Sequence, residues 1–301
     1  MSEITIQVAP EWHALADRLA GTVSLLIGAP GTGKSCLARF LADELGKRGP
    51  TALVHTDMGQ ASFGVTTCMG LQHVGRELPA LLWFIGDTTP VGNLLPTVIG
   101  AGRLVDAAVR DGATTVVVDT TGLVDGAAAR VLKYHKALAV DASLGVVLEH
   151  ADELAPLRGA LGGICQVERV RPHPAARDRS AAERRRCREE SLARHFAAGS
   201  FIDVPLDLVL SPDWTRGVNS SGASGTRRAR SVSDGSEVPP AFAPGTVCGL
   251  LDAEGFCLGL GLIEEVQADR LILFSSLKER DALRSVQLGR CRFRRDGIEI
   301  A

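Results

Sequence analysis

The segment GAPGTGKS, Gly28 to Ser35, sets glycines, a lysine and a serine at the spacing G-x-x-x-x-G-K-[ST], and the chemistry of that spacing is the holding of a polyphosphate. Gly28, Gly31 and Gly33 let the backbone wrap closely enough for its N–H groups to face phosphate oxygens, and a helix opening at the end of the loop adds positive potential. Lys34 should reach the β- and γ-phosphates and Ser35 should ligate magnesium. The expected nucleotide-binding set is Gly28, Ala29, Pro30, Gly31, Thr32, Gly33, Lys34, Ser35 and Cys36. Two carboxylates follow apolar runs: Asp57 within HTDMGQ, and Asp119 at the end of TTVVVD in the Walker B manner. Either could hold magnesium through water, and either could take the proton of an attacking hydroxyl. Taken alone, a strand-end aspartate also serves as a helix cap or turn residue. Finally, residues 169 to 194 hold nine arginines against four acids. Arg184 and Arg188, four apart, share a helix face from which their guanidinium forks could close over a moving phosphoryl group. Charge alone fits a solvated helix face too, with Glu183, Glu189 and Glu190 as partners.

These side chains need a scaffold that brings strand ends together. Apolar runs at 22 to 28, 51 to 57, 81 to 87, 114 to 120, 143 to 150 and 164 to 170 alternate with helical patterns such as SCLARFLADELGKRG, LLPTVIGAGRLVDAAVRDG and AARVLKYHKALAV. That alternation predicts an α/β fold, a P-loop NTPase with a doubly wound parallel sheet whose ligands sit at the carboxyl ends of the strands. A helix is expected to open after Ser180 and to carry the arginines, over about 180 to 198. The expected domains are 1–210 for the nucleotide-binding part, 211–243 for a Ser/Gly/Pro/Arg-rich linker, and 244–301 for a small β module of short strands.

Composition bounds the rest. A chain of 301 residues, 45% hydrophobic, can bury a large core. A net charge of -2 offers no global attraction to nucleic acid, so any basic surface must be local, as in Arg169 to Arg194, Arg227 to Arg230 or Arg290 to Arg295. Aromatic residues are 4% of the chain, too few for an extended base-stacking platform. The seven cysteines have no CxxC or zinc spacing, the pattern of reduced thiols. No signal peptide or membrane-spanning run is expected, and hence a cytoplasmic location.

In this order and context the motifs resemble those of the polynucleotide 5′-hydroxyl kinase family, over about residues 1 to 210, in its prokaryotic type. The family's P-loop, DxDxGQ motif, TxGW clasp and RxxxR lid look like GAPGTGKS, HTDMGQ, TTGL and RRRCR here. The resemblance implies that Asp57 orients and deprotonates the 5′-hydroxyl and helps place magnesium. It makes Gln60, Thr120, Thr121 and Gly122 acceptor-side or clasp residues. It makes Arg184 and Arg188 the lid over ATP, and these two with Lys34 and Asp57 form the expected catalytic set. Magnesium would fall to Ser35, Asp57 and Asp119. His55 stands where the family has a further Asp, and Leu123 where it has the clasp Trp. The implied reaction carries the γ-phosphoryl of ATP to the 5′-hydroxyl end of RNA or DNA. The rival expectations are a non-catalytic ATP-bound scaffold for RNA processing, a P-loop GTPase or ATPase switch, and a small-molecule kinase.

Overall fold

Aliphatic and β-branched runs make the strands of the first part of the chain, and their uniform burial shows a sheet covered on both faces. In the computed structural model, which describes residues 8–61, 63–76, 80–210, 240–277 and 280–300, these elements follow in order: α1 (Glu11–Leu19), β1 (Val23–Gly28), α2 (Lys34–Gly46), β2 (Thr51–His55), β3 (Cys68–His73), β4 (Leu81–Phe84), α3 (Leu94–Arg110), β5 (Thr115–Asp119), α4 (Gly126–Ala139), β6 (Leu144–Leu148), α5 (Ala155–Leu161), β7 (Gln166–Val170) and α6 (Ala181–Phe196). The chain clusters into two compact units, Met1–Trp83 with Thr89–Arg184 and Phe84–Thr88 with Arg185–Ala301.

In the first unit the strand order is β4-β3-β2-β5-β1-β6-β7. β1 lies parallel to β5 and β6, β2 parallel to β5, and β6 parallel to β7. The mainly parallel P-loop architecture is therefore as the apolar alternation implied. Every residue of β2, β5 and β6 is buried, which is why these strands read as continuous apolar runs rather than as alternating ones. Two elements add to the expected alternation. β3 runs antiparallel to β2, and its Gly70 and Gln72 dilute the apolar signal. α1 packs Trp12, Leu15, Ala16 and Leu19 into a cluster with Leu37, Leu41 and Leu45 of α2 and Leu26 of β1. Each such fully buried large side chain contributes about 1.5–3 kcal/mol. α1 and α2 are thereby fixed against the strand that delivers the phosphate loop.

The second unit is a mostly antiparallel sheet of β8 (Ser200–Pro205), β9 (Val209–Leu210), β10 (Thr246–Leu251), β11 (Cys257–Val266), β12 (Arg270–Ser275), β13 (Ser285–Phe293) and β14 (Glu299–Ile300). β10 pairs with β11 and β13, β11 with β12, and β13 with β14. The β10–β11 turn follows from its residues: Asp252 Oδ1 accepts N–H bonds from Glu254 and Phe256, and Gly255 takes φ +85. The sequence expectation began the β module at 244 and left residues up to 210 in the first domain. β8, however, pairs along its whole length with β12, and β9 runs parallel to β13. Two very short or exposed-alternating strands carry too little apolar signal to be assigned to a distant sheet. Of the expected linker, residues 211–239 and with them Arg227 to Arg230 lie outside the described residues. Among the described residues no helix is long and apolar enough to cross a membrane.

α6 opens where its sequence places a capping box. Ser180 Oγ accepts from the Glu183 N–H at 3.1 Å, and Glu183 Oε2 accepts from the Ser180 N–H at 2.7 Å. That backbone bond first, and Arg177 next, hold the Glu183 carboxyl down to about 2. Replacing Ser180 by Ala should cost about 1 kcal/mol of local helix stability, and Ser180→Gly only a few tenths. Amide exchange in the first turn of α6 should rise more in Ser180→Ala than in Ser180→Gly, and exchange unchanged from wild type in both variants would show that the cap does not hold this helix end.

Candidate active site

Register assembles the site. Asp119, the last residue of β5, stands opposite Leu26 of β1 and His55 of β2, so the segments that leave β1, β2 and β5 emerge side by side at the carboxyl edge of the sheet. The phosphate loop follows β1. Gly31 and Gly33 take φ +76 and +83, left-handed values that only glycine adopts without cost. Gly31 is also crowded, since a Cβ there would lie 2.7 Å from the Asp178 nitrogen. Gly33 caps α2, whose free N–H groups point into the loop. Lys34 is buried and bends back to donate to the Ala29 carbonyl at 2.7 Å. Burial lowers the pKa of its ammonium, against the pull of Asp119, Asp57 and Asp178. Ser35 and Cys36 are exposed at the helix start.

The two carboxylates occupy different environments. Asp57 is half-buried and takes the Gly59 N–H on Oδ1 at 3.1 Å, which shapes the turn after β2. Asp119 is 2% exposed, and its Oδ1 has no hydrogen-bond partner among the described residues. Burial alone would raise its pKa, but His55 first, then Ser35 and Lys34, bring it below the usual carboxylate range. His55 is fully buried, with Nδ1 3.6 Å from Asp119 Oδ2 and Nε2 2.6 Å from the Asp57 carbonyl. A carbonyl only accepts, so Nε2 carries a proton, and Nδ1 can donate to Asp119 only in the imidazolium. The His55 pKa is raised accordingly: burial opposes the charge, and Asp119 and Asp57 outweigh it. His55 therefore faces Asp119 with a raised proton affinity, at the position where the resembling family has a carboxylate.

Thr120 and Thr121 are buried, with their hydroxyls turned toward α4. Lys133 Nζ lies 2.7 Å from Thr120 Oγ1, 2.6 Å from the Thr121 carbonyl and 3.3 Å from Thr121 Oγ1. Gly122 presses on the phosphate loop, because a Cβ there would lie 2.7 Å from Pro30 Cγ. Before α6 the chain crosses the loop again: Ala176 is the neighbour of Gly33, and Asp178 that of Gly31. From this arm Arg179 donates to Gln60 Oε1 at 3.2 Å, and Arg184 spans both Asp178 oxygens at 3.0 and 3.1 Å.

A family model described as mRNA cleavage and polyadenylation factor CLP1 P-loop matches residues 28–198. The chain belongs to this family. A polyribonucleotide 5′-hydroxyl-kinase of Pyrococcus abyssi is 27% identical over 92% of this chain and 89% of its own. Its namesake in Methanocaldococcus jannaschii is 24% identical over 92% and 88%. In the solved structure of the wild-type Clp1p–Pcf11p complex, the matching chain fits with a TM-score of 0.68 at 15% identity, covering 97% of this chain and 82% of that one. This last likeness concerns the fold.

Within this CLP1-type P-loop unit, the phosphate loop, Asp57, Gln60, Asp119, Thr120, Thr121, Gly122 and Arg184 all belong to the first unit. Arg188 belongs to the second and pairs there with Glu299 at 3.1 Å. The solvated-face reading of the arginine run holds for its outer members: Arg185 pairs with Glu189 and Arg186 with Glu190. Missed from the sequence were Asp178, Arg179 and, above all, Lys133 and Lys136, both fully buried. The signal for the lysines was present. Ala129, Leu132 and Ala137 mark the inward face of α4, and positions 133 and 136 fall on that same face by three-and-four spacing.

Burial brings the Lys136 ammonium down to about 7, although Asp57 and Asp119 pull it up, and burial lowers Lys133 well below its ordinary range. An unfolded chain binds these protons up to the ordinary value of 10.5. Between about 7 and that value the unfolded state holds more protons, so stability should rise with pH. Denaturant unfolding from neutral to alkaline pH should show this rise, and Lys136→Met should flatten it. An unchanged slope in the variant would dismiss Lys136 as its source.

Proposed function

We propose that this chain is an ATP-dependent polynucleotide kinase that transfers the γ-phosphoryl group to the 5′-hydroxyl end of RNA. The observation that carries the reading is the placement of Asp57, a half-buried carboxylate on the loop beside a P-loop whose Lys34 feels its charge. Relatives named polyribonucleotide 5′-hydroxyl-kinases, aligned over 92% of the chain, support the acceptor class.

In this reading the N–H groups of Gly28 to Ser35 cradle the phosphates, and Lys34 leaves the Ala29 carbonyl to follow the β- and γ-phosphates. Asp57 orients the 5′-hydroxyl and takes its proton as the oxygen attacks the γ-phosphorus in line, while the bond from that phosphorus to the β,γ-bridging oxygen breaks and ADP leaves. Ser35 and Asp119, with Asp57, would hold magnesium. The bare, buried Oδ1 of Asp119 fits that role, as does the habit of magnesium to bind through one or two carboxylates together with substrate phosphates. When bound, the ion neutralises charge on the phosphate oxygens. Arg184 exchanges Asp178 for the moving phosphoryl group, and Gln60 with Arg179 flanks the acceptor.

The test is transfer of labelled γ-phosphate to matched 5′-hydroxyl RNA, DNA and nucleoside acceptors. Wild-type protein should label RNA. Asp57→Asn should lose at least about a hundredfold in kcat while ATP affinity changes little. Lys34→Ala should weaken ATP binding itself. Full activity in Asp57→Asn would remove the assigned base, and hydrolysis without labelling of any acceptor would replace the kinase with a nucleotide switch.

A further inference from the structure

α4 carries two lysines on its inward face. Val131 and Leu138 are each 49% exposed, whereas Lys133 and Lys136 are 0% exposed. Taking an ammonium out of water costs several kcal/mol, and an apolar side chain of similar volume often replaces a buried ion without loss of stability. Stability is thus a poor reason for two lysines here, and their hydrogen bonds supply a better one.

Each lysine Nζ starts a relay that ends on a strand carbonyl. Lys133 donates to Thr120 Oγ1 at 2.7 Å, and Thr120 Oγ1 donates to the Leu26 carbonyl at 2.7 Å. A second Lys133 donor takes the Thr121 carbonyl at 2.6 Å. Lys136 donates to Thr56 Oγ1 at 2.8 Å, and the Thr56 hydroxyl and N–H both reach the Asp119 carbonyl at 2.9 Å. The first relay ties the segment after β5 to β1, two residues before Gly28. The second ties the residue before Asp57 to Asp119.

We propose that Lys133 and Lys136 are positioning residues for phosphoryl transfer, clamping the segments that carry Asp57, Asp119 and Gly122 to one another and to the root of the phosphate loop. They touch neither nucleotide nor acceptor. They act by holding the reacting groups in one geometry, and an error of about 1 Å there can cost a hundredfold in rate. The proposal rests on the kinase reading for its rate effect, but the clamp itself is observable without turnover.

The experiment compares full-length wild type with Lys133→Met and Lys136→Met, together with Thr56→Val, which keeps shape and removes the acceptor of Lys136. kcat and KM for transfer to 5′-hydroxyl RNA, ATP affinity, melting temperature and peptide-level hydrogen exchange are measured on each. The expected result is a fall in kcat of about tenfold or more, with ATP affinity and melting temperature held or raised. Exchange should quicken over 56–60 and 119–124 alone. A kcat within about twofold of wild type in the lysine variants and in Thr56→Val overturns the proposal. So does a fall in kcat accompanied by a lower melting temperature and faster exchange throughout the first unit, since the lysines would then serve the fold at large. Should the wild type label no acceptor, the kinase reading fails separately. Local exchange then decides the clamp: faster in the two segments supports it, and unchanged overturns it.

Discussion

Asp119 is the charge around which the first unit is arranged. A carboxylate that is 2% exposed is costly unless other charges and donors answer it. Here His55 from the neighbouring strand and Lys34 from the phosphate loop answer it, and the α4 lysines in turn feel its charge. Each of these is itself too buried to stand alone. Lys34 and both α4 lysines are lowered by desolvation, while His55 is raised because its partners outweigh that cost. The group is interdependent, and the strands that supply it cannot shift in register without exposing an uncompensated charge.

That interdependence explains how the sequence could be read so far. The phosphate loop was legible because its demands are local: glycine at positive φ, a helix start, and a lysine at the first position of that helix. The parallel sheet was legible because strands buried on both faces are continuous apolar runs. The capping box at Ser180 and Glu183 is likewise a property of neighbouring residues. Asp57 and Asp119 could be picked out as strand-end acids, but their division of labour could not. One is half-buried and the other sealed, and that difference comes from what packs across the sheet edge.

What escaped was non-local. His55 looked like a lost carboxylate, and its pairing with Asp119 depends on the β2–β5 register. Thr120 and Thr121 looked like groups for a ligand, yet their hydroxyls are spent inward on Lys133. The lysines themselves were passed over because a charged residue in an amphipathic helix is ordinarily assigned to the wet face. Counting position rather than type along α4 would have placed them inside. β8 and β9 escaped for the same reason, since their partners β12 and β13 lie far ahead in the chain.

The arm before α6 shows the opposite economy. Arg184 and Asp178 are 35% and 52% exposed in their side chains, and a pair so wet is worth about 0–1 kcal/mol. The Arg179 bond to Gln60 is exposed as well. Such contacts keep the arginines aligned over the phosphate loop without holding them strongly, and a phosphate carrying more charge than one carboxylate competes well for Arg184. Lys133 and Lys136, both 0% exposed, offer no such exchange, because their Thr120, Thr121 and Thr56 partners would be left buried and unpaired. The first unit thus combines exposed, exchangeable arginine contacts with buried lysine contacts. In the proposed transfer the arginines supply charge that moves onto the nucleotide, and the lysines keep Asp57 and Asp119 still while it does.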